Sequence, residues 1–328
     1  MAVKVNVKTL KEIADKEPKY TSGHRACAGC GCSVAVSQII RAVEGDLVVG
    51  FATGCMEVVT TIFPYTSWNT PYIHNAFENV AATISGVETA YHSLRKQKKI
   101  DPKKKINFIA FGGDGGTYDI GLQSLSGAME RNHDMLYICY DNEAYMNTGI
   151  QRSSATPLGA AVSTAPAGEV IPGKQQNRKN LTDIIAAHHI PYVAQASPHN
   201  WMDLMRKVRR ALEIEGATFI NVMGTCFRGW RFPMEKSIEM ARLATETCFW
   251  PLFEVEYDRW KLNYKPKEKL PITEWIKHQG RFDHLFKPEF KYMIPLLQEN
   301  VDRNWELILW RTGQGECPDF AANLPEKK

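Results

Sequence analysis

Gly112-Gly113-Asp114-Gly115-Gly116 follows a short apolar run at 106–111 (INFIAF), and Asn142 stands 28 positions after Asp114, just past a second apolar run at 135–140 (MLYICY). Both runs are as short and continuously apolar as fully buried parallel strands, and 118–131 (YDIGLQSLSGAMER) between them has helical periodicity. Glycines at a strand-to-helix turn let a phosphate approach backbone N–H groups, while an aspartate among them offers Mg²⁺ a hard oxygen. The chemistry this predicts is a Mg-diphosphate cradle, with Asp141 and Asn142 delivered to the same sheet edge as Asp114. Glycine-rich turns also occur in α/β proteins without phosphate, so the second oxygen ligand carries the weight.

A carboxylate and an amide at the carboxyl ends of two successive strands, joined by one helix, is the arrangement of thiamine diphosphate enzymes. A dinucleotide site fits poorly, because the G-x-G-x-x-G order is absent.

Cysteines form a second constellation. Cys27, Cys30 and Cys32 fall in GHRACAGCGCSVAV, where glycines keep the backbone pliable and Ser33 begins an amphipathic helix. A C-x-x-C pair can chelate one metal centre, and an adjacent helix N-terminus favours thiolate. Cys55 follows the apolar strand 47–52 in the turn Thr53-Gly54-Cys55, and Cys226 follows the strand 217–223 in Gly224-Thr225-Cys226. In a parallel sheet those turns share an edge with Asp114 and Asn142, which gathers Cys27, Cys30, Cys55 and Cys226 beside the diphosphate. Thiols alone leave zinc and an iron-sulfur cluster both open. A one-electron acceptor beside thiamine chemistry makes mechanistic sense and favours the cluster. Cys139 reads as a packed small hydrophobe, Cys248 and Cys317 lack companions, and Cys32 could face the cofactor, replace a ligand or be inert.

The chain has 328 residues, 44% hydrophobic and 23% charged, enough for a large core. Forty Lys and Arg against 36 Asp and Glu give a net charge of +4, which argues against a nucleic-acid binder. Basic residues concentrate at 95–105 (RKQKKIDPKKK), a solvated helix end and loop or a docking patch. No apolar run is long enough to span a bilayer and the start lacks an apolar signal core, so a cytoplasmic protein without disulfides is expected.

The runs GHRACAGCG, ATGCMEVVTT, FPYTSWNTPYIHNAFENVAA, GGDGGTYDIGLQSLSGAMERNH, YDNEAYMNTGIQRSSATP and the later GTC and WPLFE closely resemble the beta subunit of the pyruvate:ferredoxin oxidoreductase family, within the wider 2-oxoacid:ferredoxin oxidoreductases. The resemblance implies an α/β thiamine diphosphate-binding fold: a mostly parallel sheet with helices on both faces. It implies that Cys27, Cys30, Cys55 and Cys226 bind a [4Fe-4S] cluster. It further implies that Asp114, Asn142 and the Ala144 carbonyl hold Mg²⁺, that Thr53, Gly54, Cys55, Gly113, Gly115, Gly116 and Thr148 surround the cofactor, and that Asn147 points at the reacting carbon. The bland alternative for Asn147 is an Asx-type turn.

The implied activity is oxidative decarboxylation of a 2-oxoacid, pyruvate by default, with coenzyme A as acyl acceptor and ferredoxin as electron acceptor. Oxalate or another oxoacid, a non-redox thiamine decarboxylase subunit and a zinc-stabilised scaffold are the rivals. The chain has no C-x₂-C-x₂-C-x₃-C-P run and no second, pyrimidine-binding domain. Separate subunits are therefore expected to supply the activating glutamate and a two-cluster ferredoxin-like module. The expected organisation is an arm at 1–19, a cofactor and cluster domain at 20–250, and an extension at 251–328 packing on other subunits. Residues 153–180, rich in Ser, Thr, Pro and Gly, should form a long loop over the cofactor or toward a neighbouring subunit. His74, Asn75 and Glu78 read as polar residues at a helix start that could face substrate or an interface.

Overall fold

Six parallel strands, β1 (Asp46–Ala52), β2 (Tyr72–Asn75), β3 (Ile106–Gly113), β4 (Leu136–Asp141), β5 (Tyr192–Ala196) and β6 (Thr218–Met223), four of them the expected apolar runs, form the sheet in the computed structural model, which describes residues 13–15, 17–101 and 103–318. Two more, β7 (Phe253–Glu256) and β8 (Arg259–Leu262), join antiparallel, giving the order β2-β1-β3-β4-β6-β5-β7-β8. Every residue of β4, β5 and β6 is buried, so these strands read as continuous apolar runs without alternation.

The helices are α1 (Gly31–Ala42), α2 (Cys55–Val58), α3 (Val80–Lys96), α4 (Leu122–Glu130), α5 (Leu181–Ala186), α6 (Trp201–Glu213), α7 (Phe227–Trp230), α8 (Ser237–Glu246), α9 (Thr273–Ile276) and α10 (Met293–Arg311). Three start where a side chain satisfies an orphan N–H: Asn180 Oδ1 accepts from Asp183 N, Asn200 Oδ1 from Asp203 N, and Cys226 Sγ from Gly229 N. On one face of the sheet Val36 and Ile39 of α1 and Leu204 and Val208 of α6 pack with Ile109, Phe111 and Ile138. On the other, Ile84 of α3, Leu125 of α4 and Ile185 of α5 pack with Phe108, Ala110 and Tyr137. Successive residues of β3 thus serve opposite layers, as the two-residue strand period requires.

Two expectations are revised, and the long loop expected at 153–180 forms. The helix expected at 118–131 opens instead with a π-helical turn over Gly115–Ile120 before α4. Gly121 lies so close to that turn that a Cβ there would meet the Gly116 carbonyl oxygen at 2.2 Å, so the widened turn depends on a glycine. His74 and Asn75 end the edge strand β2 rather than start a helix, because Tyr72 and Ile73 pair with Val49 and Gly50 of β1; α3 begins only at Val80. Residues 153–180 carry no helix or strand, yet Ser153 and residues 155–162 are buried, and the chain returns to the surface around Val170, which is 85% exposed.

The segment 251–318 is laid onto its own chain. β7 and β8 extend the sheet, and Trp275, Phe282, Leu285 and Trp305 share a third core with Trp230, Met240 and Trp250. The expected arm at 1–19 lies mostly outside the described residues. Among the described residues no helix is long and apolar enough to cross a membrane.

Glu254 staples β7 to the sheet's helical layer, accepting from Arg206 of α6 at 2.9 Å, Lys261 at 2.9 Å and Tyr192 at 2.8 Å. Burial pushes its carboxyl upward, but Arg206 and the other donors outweigh burial and hold it down at about 2. Because the folded value lies below the ordinary one, its stabilisation is complete above about pH 4.5 and is lost as pH falls toward 2, by about 3 kcal/mol. In urea unfolding across pH 2–7, Glu254→Gln should flatten this part of the acid limb; an unchanged slope would show that the staple contributes nothing.

Candidate active site

β1, β3 and β4 end at one sheet edge, next to the point where the strand order turns from β1 to β2 on one side and to β3 on the other. In open α/β sheets such a switch point is where ligands bind. A cleft there is lined by Thr53, Gly54 and Cys55 after β1, Gly113 to Gly116 after β3, and Asn142, Ala144, Asn147 and Thr148 after β4. The structure thus brings every residue expected around the cofactor into one cleft. Asn147 and Thr148 are exposed at its rim, and Thr148 Oγ1 donates to Gln151 Oε1 at 2.6 Å. Phe77, Tyr140, Tyr145 and Met146 complete the lining. Tyr145 stacks on Phe77 with centroids 5.5 Å apart, and a Cβ at Gly115 would stand 2.5 Å from the Tyr145 ring. Glycine at 115 therefore lets the aromatic wall close against the turn.

At the cleft floor Asp114 is buried and accepts from Ser153 Oγ at 2.5 Å and from the Asn142 N–H at 3.3 Å. One end of the Asn142 amide lies 2.9 Å from Asp114 Oδ1 and 2.8 Å from the Ala144 carbonyl oxygen. Were that end the NH₂ group, it would donate to both. As the oxygen, it makes three oxygens converge with no proton between them, which a hard cation completes, and it leaves Nδ2 to donate to Cys32 Sγ at 3.7 Å. The charge balance favours the second arrangement. Asp141 is paired with Arg178 at 2.5 Å, and Glu143 with Arg178 at 3.1 Å and Arg281 at 2.5 Å, but Asp114 meets no cationic side chain among the described residues. Burial, and then the Asp141 charge, push the Asp114 carboxyl well above the usual carboxylate range. A divalent cation held by Asp114, Asn142 and Ala144 would reverse that.

Glu143, fully buried, adopts a left-handed backbone at φ +68, and its N–H donates to Asp141 Oδ1 at 3.0 Å. That turn presents the Asn142 and Ala144 oxygens, and Trp230 Nε1 fixes it by donating to the Asn142 carbonyl at 2.9 Å. Arg281 lies against the Trp230 ring, 4.2 Å from its centroid, and Arg178 against Trp250 at 4.7 Å. Sequence reasoning missed Arg178, Arg281 and Trp230, which are remote in the chain and carry no local signature.

The thiols meet on the same edge. Cys30 caps α1, Cys55 opens α2 and Cys226 caps α7, so three of the four candidate ligands sit at helix N-termini. The loop carrying Cys27 and Cys30 is tied to the end of β6 by a Gly31 N–H to Thr225 carbonyl bond of 3.1 Å; a Cβ at Gly31 would strike Thr225 Oγ1 at 2.1 Å, so only glycine permits this approach. Burial pushes the Cys55 thiol up to about 12, with further upward contributions from Cys226, Cys30 and Cys27. Cys226 is raised by burial and likewise by Cys30 and Cys27. Cys55 and Cys226 are therefore within electrostatic reach of each other and of Cys27 and Cys30, and an uncompensated thiolate at Cys55 or Cys226 is unfavourable, whereas the hydrogen bond with Cys32 lowers the Cys30 thiol to about 7. Cys32 is buried beside them and serves Asn142 as a sulfur acceptor. Among the described residues no three His, Cys, Asp or Glu side chains close on one point as ligands of a single ion do. Of the other polar candidates, His74 is exposed and bonds Thr53 Oγ1 at 2.9 Å, Asn75 is buried, and Glu78 is exposed.

Residues 52–222 match the family of thiamine pyrophosphate enzyme C-terminal TPP-binding domains. Over 310 residues, 93% of this chain and 96% of the other, the chain is 52% identical to the pyruvate synthase subunit PorB of Thermotoga maritima. It is 50% identical to the Methanocaldococcus jannaschii PorB over 89% of this chain and 97% of that one, and 42% identical to the ketoisovalerate oxidoreductase subunit VorB of Pyrococcus abyssi over 89% and 93%. Among solved structures, 2-oxoglutarate:ferredoxin oxidoreductase from Magnetococcus marinus, with 2-oxoglutarate, coenzyme A and succinyl-CoA bound, shares the fold. Its TM-score is 0.53 at 21% identity, over 70% of this chain and 81% of that one. The fold and cleft are thus those of a thiamine diphosphate-binding enzyme domain. More narrowly, the chain belongs to the beta-subunit family of the 2-oxoacid:ferredoxin oxidoreductases, which work as multi-subunit complexes.

Arg281 is removed from the chemistry but compensates buried Glu143. Arg281→Met should therefore destabilise the protein by about 3–5 kcal/mol, by leaving a buried carboxylate short of a partner. Adding Glu143→Gln should recover part of the loss. Thermal unfolding of the two variants checks this, and equal losses in both would mean that packing rather than charge is responsible.

Proposed function

We propose that the chain is the thiamine diphosphate- and cluster-bearing subunit of an enzyme that oxidatively decarboxylates pyruvate, with coenzyme A taking the acyl unit and ferredoxin the electrons. The observation that carries this reading is the shared position of Cys55 and Asp114 on the walls of one cleft, with uncompensated oxygens at its floor and three further thiols behind Cys55.

Asp114, the Asn142 side chain and the Ala144 carbonyl would hold Mg²⁺ between themselves and the diphosphate, whose oxygens the N–H groups of Gly113, Gly115 and Gly116 and the Thr148 hydroxyl can meet. Cys27, Cys30, Cys55 and Cys226 would hold one [4Fe-4S] cluster, with Cys55 on the wall of the cleft itself. Thiamine diphosphate, when bound, supplies the carbanion chemistry that lets a 2-oxoacid lose carbon dioxide. The chain's part is to orient and to keep the site dry: Phe77, Tyr145 and Met146 provide an apolar wall, and Asn147 at the rim can donate its amide to the substrate. Thr53 and Gly54 bring the Cys55 sulfur to the cleft, shortening the path for electrons. Neither an activating glutamate from a pyrimidine-binding domain nor a two-cluster module is recognisable in this chain, so partner subunits would provide both. Four thiols within electrostatic reach beside the cleft weigh against a non-redox decarboxylase, and the ferredoxin-linked family weighs against a zinc scaffold.

A second substrate reading, a branched 2-oxoacid, draws on the 42% identity to the VorB subunit. The complex purified without oxygen should contain iron and acid-labile sulfide, and should give a radical and a reduced-cluster paramagnetic signal on adding pyruvate, altered by coenzyme A. A cluster signal that responds to 2-oxoisovalerate but not pyruvate would replace the substrate; absence of iron and sulfide would sink the redox reading. Cys55→Ser should keep thiamine diphosphate binding and lower ferredoxin reduction by at least about tenfold, equivalent to about 1.4 kcal/mol in the barrier.

A further inference from the structure

Tyr140 occupies β4 opposite Gly113 of β3 and Val222 of β6. Its side chain fills space that two glycines leave free: a Cβ at Gly54 would lie 2.6 Å from its hydroxyl, and one at Gly113 3.3 Å from its ring. Tyr140 is 1% exposed, and its hydroxyl has no hydrogen-bond partner among the described residues. Nearby buried tyrosines differ. Tyr118 donates to Asp141 at 2.5 Å, Tyr192 to Glu254 at 2.8 Å, and Tyr137 pairs with Thr117 at 3.1 Å. An unpaired buried hydroxyl costs about 1–3 kcal/mol, a penalty that phenylalanine at this position would avoid. The hydroxyl is therefore expected to have a partner in the working enzyme.

Few groups stand close enough to be that partner. The ionisable groups that act on the Tyr140 hydroxyl include Cys55 and Cys32, and the Met56 N–H lies nearby but outside hydrogen-bond geometry. Cys32 Sγ already accepts from Asn142, and Cys226 Sγ accepts from the Gly229 N–H. No described residue donates to Cys55 Sγ. Tyr140 and Cys55 are moreover neighbours in the cofactor cleft's lining. An orphan donor thus stands beside an orphan acceptor, where the thiol group meets the cleft.

We propose that the Tyr140 hydroxyl donates a hydrogen bond to the Cys55 sulfur when that sulfur is a cluster-bound thiolate, making Tyr140 a positioning residue that raises the cluster's reduction potential on its cofactor-facing side. This deepens the proposed function and rests on its assignment of Cys55 as a cluster ligand. A thiolate is a far better acceptor than a thiol, and hydrogen bonds to sulfur are among the factors that set an iron-sulfur potential, because they stabilise the more negative reduced state. The bond transfers no proton and changes no covalent partner.

The test is an anaerobic, dye-mediated potentiometric titration of the intact complex followed by electron paramagnetic resonance, comparing wild type with Tyr140→Phe after iron and sulfide have been counted in both. With clusters intact, Tyr140→Phe should shift the reduction equilibrium of this cluster up to about tenfold toward the oxidised form, about 59 mV for a one-electron couple. Incorporation of 3-fluorotyrosine, a more acidic donor, should move the wild-type potential the other way and leave the Tyr140→Phe complex unmoved. Unchanged potentials in both experiments would overturn the proposal. If Tyr140→Phe fails to assemble a cluster, the fluorotyrosine shift alone decides. Wild type without iron and sulfide would instead fail the underlying cluster assignment.

Discussion

Three carboxylates, Asp114, Asp141 and Glu143, are buried at the carboxyl ends of β3 and β4, and among the described residues two guanidiniums, Arg178 and Arg281, pair with Asp141 and Glu143 while none pairs with Asp114. The imbalance organises the molecule. Arg178 comes from the long segment after 150, and Arg281 from the region after 250, so both are drawn across the sheet edge to compensate charges at the end of β4. In doing so they fix Glu143 in a left-handed conformation and set the oxygens of Asn142 and Ala144 beside Asp114. The carboxylate left uncompensated is the one facing the cleft, and its shortage of positive charge is what a divalent cation can fill.

The same constraint explains why a segment without helix or strand is so well buried. Residues 155–162 and Lys174 are held in place between the π-turn after β3 and the third aromatic core. Thr156 Oγ1 donates to the Glu143 carbonyl at 2.6 Å, Ser153 to Asp114, and Lys174 to the Ser154 and Thr156 carbonyls. A loop can be buried only if its backbone polar groups are satisfied: Lys174 takes the Ser154 and Thr156 carbonyls, Asp119 accepts from the Ser154 N–H, and the Arg281 carbonyl accepts from the Ala161 N–H. Trp230 then connects this oxygen site to the thiols: it follows Cys226 by four residues, its indole donates to Asn142, and its ring supports Arg281.

Parallel topology does the remaining assembly. Because β1, β3, β4 and β6 all run the same way, the turns after them open on one edge, and thiols separated by nearly 200 residues come within electrostatic reach of an aspartate and of one another. In a family of 2-oxoacid:ferredoxin oxidoreductase beta subunits, that edge joins carbon chemistry and electron removal in one place. The orphan Tyr140 hydroxyl lies on the border between the two.

The residues that could do chemistry were legible in the sequence wherever chemistry imposes a local pattern: glycines and Asp114 at a strand end, Asn142 at the next, and the Cys27 and Cys30 pair. Continuous apolar runs likewise announced the buried parallel strands, since both of their faces must be dry. Tertiary structure alone decided what compensates them. Arg281 meets Glu143 across 138 residues, Trp230 meets Asn142 across 88, and Trp275 finds its core with Trp230 and Phe249. Charge pairing and aromatic packing require only proximity, not spacing, so nothing in the local sequence around Arg281 or Trp275 distinguishes a core residue from an exposed one. The π-turn after β3 was hidden for a related reason: helical periodicity tells which face is apolar, while the width of the first turn is set by what it must pack around.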